Sequence, residues 1–142
     1  MVNGRTYGWE DIRAKLSGFD LEIQSIEYSD EMEKEASYGT GSKPRGYGTG
    51  NYKADCKISM LKDDYDDFVA WCKSQGVSLY KLEIPKIVVS YAMDGERVKN
   101  DVINKVTPTK VSNKASQGDK NLTVEIELLV YGTIVRDGLA SV

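Results

Sequence analysis

The sequence contains no histidine, and that absence removes the commonest general base, the usual charge switch near neutral pH and the commonest metal ligand. Cysteine is nearly missing as well: Cys56 and Cys72 are the only thiols, and they lack Cys-x-x-Cys spacing. Each is expected to be a small buried apolar residue, one on a strand and one on a helix, rather than half of a disulfide or a metal site. Neither a metal nor a cofactor is therefore expected. There is no excess of positive charge. Nineteen Lys and Arg against 22 Asp and Glu give a formal charge of -3 and a pI near 5.1, whereas a dedicated duplex-DNA binder shows a basic patch and usually a basic pI. No apolar run approaches membrane-spanning length, and the first ten residues hold no apolar signal region, so the expectation is no membrane span and synthesis in the cytosol.

What is present describes an ordinary globular chain. The 142 residues are 40% hydrophobic and 29% charged, too apolar for disorder and long enough for one real core. A single domain over 1–142 is expected. Ile12, Ala14 and Leu16 alternate with Asp11, Arg13 and Lys15, the period of a half-buried strand. Ser17-Gly18 is expected to turn the chain. Phe19, Leu21 and Ile23 continue the alternation, but Ile26 and Tyr28 have the opposite parity, which a bulge near Gln24 and Ser25 would absorb. Trp9, just upstream, is expected either in the core, the favoured reading, or at an interface.

Tyr28 to Glu35 is acidic, with Asp30, Glu31, Glu33 and Glu35 against Lys34 alone. Such runs are usually solvated faces, and a carboxylate pair for glycoside hydrolysis needs a fixed separation inside a cleft. The stretch Tyr38 to Gly50 follows, with five glycines (Gly39, Gly41, Gly46, Gly48, Gly50), Pro44 at its tip and Lys43, Arg45 and Tyr47 between them. Five residues of free backbone rotation argue against strand or helix, and a connection this long is uncommon unless functional or disordered. It is expected to be a contact loop for a neighbouring subunit, spanning 30–50, with Asp30, Glu31, Glu33 and Glu35 as candidate acidic partners for Lys43 and Arg45 of another copy. A flexible solvated loop competes with that reading. A phosphate cradle fits poorly, because no Gly-Lys-Ser/Thr opens a helix and Pro44 stands where a third glycine would be. A single-strand nucleic-acid contact through Arg45-Gly46-Tyr47-Gly48 has the right residue types but few cations.

Tyr52, Ala54, Cys56, Ile58 and Met60 alternate with Lys53, Asp55, Lys57 and Ser59, a clear strand. A helix over 63–75 is expected next, capped by Asp63, with Asp64, Asp66 and Asp67 at its positive end and Leu61, Tyr65, Phe68 and Cys72 on one stripe. Trp71 lies off the centre of that stripe, so partial exposure or a subunit contact is expected, and Gly76 ends the helix. Tyr80, Leu82 and Ile84 alternate, Ile87 to Tyr91 is a β-branched run, and Met93-Asp94-Gly95-Glu96 reads as a turn. Val98, Val102 and Val106 share one parity. Ser112 to Asn121 is polar and turn-rich. Leu122, Val124, Ile126, Leu128 and Val130 form a long strand whose far end, with Leu129 and Tyr131 opposite, is expected to be covered on both faces.

Six to eight antiparallel strands and one short helix predict a mainly β fold: an antiparallel β-sandwich or partly open β-barrel with one flanking helix and a long glycine-rich inter-strand loop. Edge strands of such a fold are either protected or used for pairing with another chain.

An early strand with Trp9, Ser25-Ile26-Glu27-Tyr28, the acidic run, Tyr38-Gly39-Thr40-Gly41 with Pro44 and Gly50, the strand Tyr52 to Met60 and the short acidic helix form an ordered set. In that set the sequence resembles the phage tail tube proteins, which are similar in fold to the ring-forming tube protein of type VI secretion systems. The resemblance covers the first half by these features and the second half by strand pattern. It implies hexameric rings whose inner strands join into one barrel around a lumen, stacked into a tube inside a contractile sheath or naked. It further implies that the 30–50 loop reaches the adjacent ring, with Tyr38, Pro44 and Tyr47 packing there. DNA and tape-measure protein would pass the lumen without specific binding, and sheath, baseplate and terminator proteins would be partners in a virion tail assembled in the host cytoplasm. A terminator, a baseplate initiator or a bacterial injection device is a related role. The alternative from another class is a monomeric β-barrel binding module for a small ligand or single strand, and an enzyme lacks a nucleophile motif and metal spacing.

Overall fold

The computed structural model describes residues 4–16 and 19–142; the Ser17-Gly18 turn lies outside them. Nine antiparallel strands and one helix follow the chain: β1 (Ile12–Leu16), β2 (Phe19–Leu21), β3 (Ser25–Tyr38), β4 (Pro44–Leu61), α1 (Lys62–Ser74), β5 (Ile84–Tyr91), β6 (Lys99–Lys114), β7 (Thr123–Val130), β8 (Ile134–Arg136) and β9 (Leu139–Ala140). Hydrogen bonding orders them β2-β1-β5-β6-β7-β4-β3, with β8 beside β6 and β9 beside β8. The sheet does not close into a barrel.

Two layers arise because β6 changes partners along its length. Its first part, Lys99 to Val106, pairs with β5 on one side and, through Asp101 to Ile103, with β8 on the other. Its distal part, from Val106 to Lys114, pairs with β7. The change falls at Lys105, which takes a positive φ of 56°, a conformation that lets the strand fold over. The neighbouring strand bends at the same level: Tyr131 N–H donates to Lys105 O (2.9 Å) and Asn104 N–H to Thr133 O (3.0 Å). Gly132 sits in that bend, where a Cβ would lie 2.6 Å from Asn104 O. Layer one is thus β2-β1-β5-β6-β8-β9, and layer two is distal β6-β7-β4-β3.

The core lies between them. Leu16, Ile87, Val89, Ile103 and Ile134 from layer one meet Cys56, Ile58, Met60, Val124 and Ile126 from layer two, and burying each of the larger aliphatic side chains stabilises the fold by about 1.5–3 kcal/mol. The void among Leu16, Met60, Phe68 and Ile126 is only about 10 Å³, too small to admit a ligand. Phe68 and Cys72 of α1 are buried against it, as their stripe predicts, and Trp71 is half-buried, stacked on Phe19 at 5.9 Å and on Phe68 at 6.1 Å. Cys56 and Cys72 are buried free thiols.

Several local expectations give way to packing. No bulge joins β2 to β3; the chain passes there from one layer to the other, with Gln24 N–H donating to Ser59 O, so each strand sets its own parity. Helix α1 starts one residue early, directly from β4, so Leu61 is the N-cap and Asp63 makes no cap hydrogen bond. Gly76, with φ of 75°, follows its end. Leu79–Lys81 is a single 3-10 turn rather than strand, placing Leu82 in the core before β5 opens at Ile84. The Lys105 bend reverses parity inside β6, so Ile103 and Val106 are buried while Val98 is exposed and outside the strand. β6 runs on to Lys114, because its polar residues face water while β7 supplies the ladder. Trp9 is 50% exposed, whereas the neighbouring Asp11 is buried, accepting from Gly8 N–H and Arg5. Leu129 and Tyr131 are exposed rather than covered on both faces.

Candidate functional site

The predicted contact loop is a β-hairpin. β3 and β4 pair from Ser25 opposite Ser59 up to Tyr38 opposite Pro44, with shifts between Met32 and Lys34 and between Ser37 and Tyr38, so the unpaired tip is only 39–43. Expecting Tyr38 to Gly50 to be neither strand nor helix was wrong for a physical reason. The glycines at 46, 48 and 50 recur at period two, leaving one face of the strand without side chains while Tyr47 and Thr49 stand on the other, and the ladder to β3 offsets the extra backbone entropy. Of the five, only Gly41, at the tip, has a positive φ (105°). At Gly39 and Gly50 the exposed side chains of Arg45 and Glu33 fold across the backbone into the space a Cβ would take.

Beyond the body of the domain the hairpin has no cover. Every residue from 33 to 51 is exposed, Tyr38 and Tyr47 by 64% and 66%. Lys34 Nζ lies 5.3 Å from the Tyr47 ring centroid, and Asn51 N–H donates to Glu33 Oε2 (3.2 Å). Lys43, Arg45, Gly46 and Gly48 occupy the same exposed tip and strand. Glu31 and Glu35 are exposed on β3, but Asp30 is not free: its side chain, 12% exposed, accepts from Arg136 at 2.8 Å and from Tyr52 Oη at 2.7 Å.

That Asp30 contact belongs to a polar seam, which sequence reading did not find, along the open side of the sandwich between β3 and layer one. Arg136 and Tyr52 hold the Asp30 carboxyl down at about 2, against burial that would raise it. Ser141 Oγ donates to Ile134 O, bringing the residues after β9 to the seam. Tyr28 Oη donates to Asp101 and shares a hydrogen bond with Tyr91 Oη; burial first, then these two partners, push its hydroxyl above the usual tyrosine range. In the core beside the seam, burial, aided by the charge of Asp55, pushes the Cys56 thiol up to about 12. Among the described residues no cluster of acidic or thiol side chains is placed to hold a metal, and no helix is long and apolar enough to cross a membrane.

The outward face of layer two is the other exposed surface. Its register sets Glu27 opposite Lys57, Lys57 opposite Glu127 and Glu127 opposite Lys110, a row of alternating sign across all four strands. Lys110 faces outward only because Thr109 is an extra residue between Pro108 and Lys110; its hydroxyl donates to Glu127 O (3.2 Å). In a ladder without the bulge Thr109 would take the place opposite Glu127 and Lys110 would point into the core opposite Ile126.

Solved structures place this architecture. A sheath/tube terminator structure of the PVC extracellular contractile injection system matches with a TM-score of 0.67 at 12% identity, over 94% of this chain and 98% of that one. The fold is shared with chains of contractile injection-system structures. The tail of a gene transfer agent particle, refined with C6 symmetry, matches with a TM-score of 0.57 at 12% identity over 92% and 98% of the two chains. Hcp1 from Flavobacterium johnsoniae gives 0.57 at 14% identity over 91% and 96%. No family profile and no curated protein matches the sequence itself. What the chain shares with these structures is the arrangement of strands.

Proposed function

We propose that this chain is the structural subunit of a phage tail tube, or of a phage-like injection device, forming hexameric rings that stack into a hollow tube. The observation that carries it is the bare β3–β4 hairpin. A two-stranded ribbon is marginal alone in water, and one that exposes Tyr38 and Tyr47 at its end is suited to being covered by another copy. The C6 symmetry of a neighbour of the same fold supports six-fold rings, and the even number of alternating strands in layer two leaves oppositely directed edges, β3 and distal β6, that a rotated copy can join without breaking the alternation. In this reading the chain is not an enzyme. Its work is to enclose a lumen whose wall carries both signs of charge, so that DNA passes without net phosphate attraction. Sheath, tape-measure, baseplate and terminator proteins are its partners, and it assembles in the host cytoplasm into the virion tail.

The test is electron microscopy with light-scattering mass on the full chain, beside a variant with Ser37–Gly46 replaced by an Asn-Gly turn, which closes the hairpin at the Ala36–Tyr47 pair. Rings with a central hole that stack in the full chain and stay separate in the variant are expected. A strict monomer at high concentration would sink the ring, and stacking unaffected by the shortened hairpin would sink its role.

A further inference from the structure

The two open edges of layer two carry opposite charge at matching intervals. On β3 the outward-facing Glu27 and Glu31 are four residues apart, and on distal β6 Lys110 and Lys114 are four apart. β3 and β6 run in opposite directions. An antiparallel join between the β3 edge of one copy and the β6 edge of another can therefore match both pairs at once, with Lys110 against Glu31 and Lys114 against Glu27. We infer that this double pair sets the register between neighbouring subunits, with a stagger of four residues per copy. The inference rests on the ring reading above.

Three independent features agree with that register. First, the row of signs extends without a break. Glu27, Lys57, Glu127 and Lys110 of one copy would be followed by Glu31 and Lys53 of the next, since Glu31 already stands opposite Lys53 within each chain. Like charges directly opposed in a sheet are destabilising, and opposite ones stabilising. A stagger of two residues would instead set Lys110 against Ser29 and Lys114 against Ser25, pairing nothing. No stagger would match Glu27 with Lys110 but leave Lys114 against Ile23.

Second, barrel closure needs shear. Strands in closed sheets tilt by about 35–45°, and an unstaggered join would leave them upright. A four-residue stagger for every four strands makes shear equal to strand number, as in the eight-stranded barrel with its tilt of about 36°. That result does not depend on how many copies close the ring.

Third, the hand is correct. Lys62 N–H donates to Leu122 O, so even-numbered residues of β4 bond to β7 and the outward-facing Asp55, Lys57 and Ser59 bond to β3. For L-residues this places β3 on the left and β6 on the right when layer two is viewed from the core with β4 rising. The fixed twist of sheets, in a barrel whose lumen faces the outward side chains, then raises the β3 of the right-hand neighbour along the strand direction. That shift brings Glu31, not Ile23, level with Lys110. Glu27, Glu31, Lys110 and Lys114 make no ion pair within the described residues, so each is available to the neighbour.

Disulfide trapping reads the register directly. The full chain carrying Glu31→Cys and Lys110→Cys, oxidised mildly at assembling concentration, should give a ladder of covalent multimers on non-reducing gels. These two positions lie at opposite edges of one sheet and cannot close within a copy. Glu27→Cys with Lys110→Cys, the unstaggered pair, should give none, and neither should the single variants. Lys110→Glu with Lys114→Glu should raise the concentration needed for rings at least tenfold while leaving the circular dichroism of the monomer unchanged. Rings that cross-link through 27 and 110, or through neither pair, would overturn this register and leave the ring standing. A chain that stays monomeric by light scattering would remove the ring and the register together.

Discussion

Asp30 of β3 accepts a hydrogen-bonded ion pair from Arg136 of β8 at 2.8 Å, although the two belong to different layers of the sandwich. The contact ties the strand that becomes the exposed hairpin to the last turns of the chain. Its carboxyl titrates at about 2 when folded, against about 3.9 in an unfolded chain. The stability it contributes is present above the unfolded value and is lost as pH falls from about 4 towards 2. Asp30→Asn should lower the melting temperature at pH 7 by an amount corresponding to roughly 1–3 kcal/mol. The same variant should lose less stability than the parent between pH 4 and 2. Parallel acid limbs in the two melting curves would show that the pair does not supply this dependence.

Gly132 has a sharper constraint. It is held where β7 leaves its layer, and a Cβ would meet the Asn104 carbonyl at 2.6 Å, backbone that cannot yield without breaking the paired bends at Lys105 and Thr133. Gly132→Ala should cost about 2–4 kcal/mol, in the range of changes that force strain into a packed site. Lys105→Gly should do the opposite, by about 1 kcal/mol, because it removes a side chain from a positive φ that L-residues disfavour. Chemical denaturation of both variants, with unchanged m-values, checks the pair.

The uneven legibility of this fold has physical causes. Wherever a strand buries one face, the period of two is written in the side chains: Ala14 and Leu16, Cys56 to Met60, and Val124 to Val130 all read correctly and are all buried. The layer change was not legible, because it depends on Lys105 taking a positive φ and on Gly132 tolerating a carbonyl, and neither residue announces its partner. The seam of Tyr28, Asp30, Asp101 and Arg136 was invisible for the same reason, since its members lie up to 108 positions apart in the chain. The strand pairing of the glycine-rich stretch was not legible either. Gly46, Gly48 and Gly50 carry a strand's period in glycine rather than in apolar residues, a signal that counting glycines conceals.

The thiols offer a check on the packed core that is independent of assembly. Cys56 is 3% exposed and Cys72 6%, and burial pushes both away from the reactive thiolate, Cys56 to about 12. At pH 8 an aromatic disulfide reagent should label neither in the native protein and both in denaturant. Labelling of Cys72 alone under native conditions would mean that α1 opens from the sheet without global unfolding.

Tyr38 and Tyr47 separate folding from assembly most cleanly. Both rings stand in water, 64% and 66% exposed, so truncating them removes almost no burial within the chain; only the Lys34 contact with Tyr47 is lost, worth about 0.5–1 kcal/mol at an exposed site. If another ring covers them, each truncation removes a large aromatic from a contact, the kind of residue that dominates interface energies at 2 kcal/mol or more. The double variant Tyr38→Ala, Tyr47→Ala should therefore melt within a few degrees of the parent. Its rings should need roughly a thousandfold higher concentration to stack, because two losses of about 2 kcal/mol make about 4 kcal/mol and every 1.4 kcal/mol is tenfold. Ring formation itself should be untouched, since Tyr47 is on β4 and Tyr38, at the far end of β3, lies beyond the stretch from Glu27 to Glu31 that carries the paired charges. Loss of rings and stacks together would instead place the hairpin within the ring.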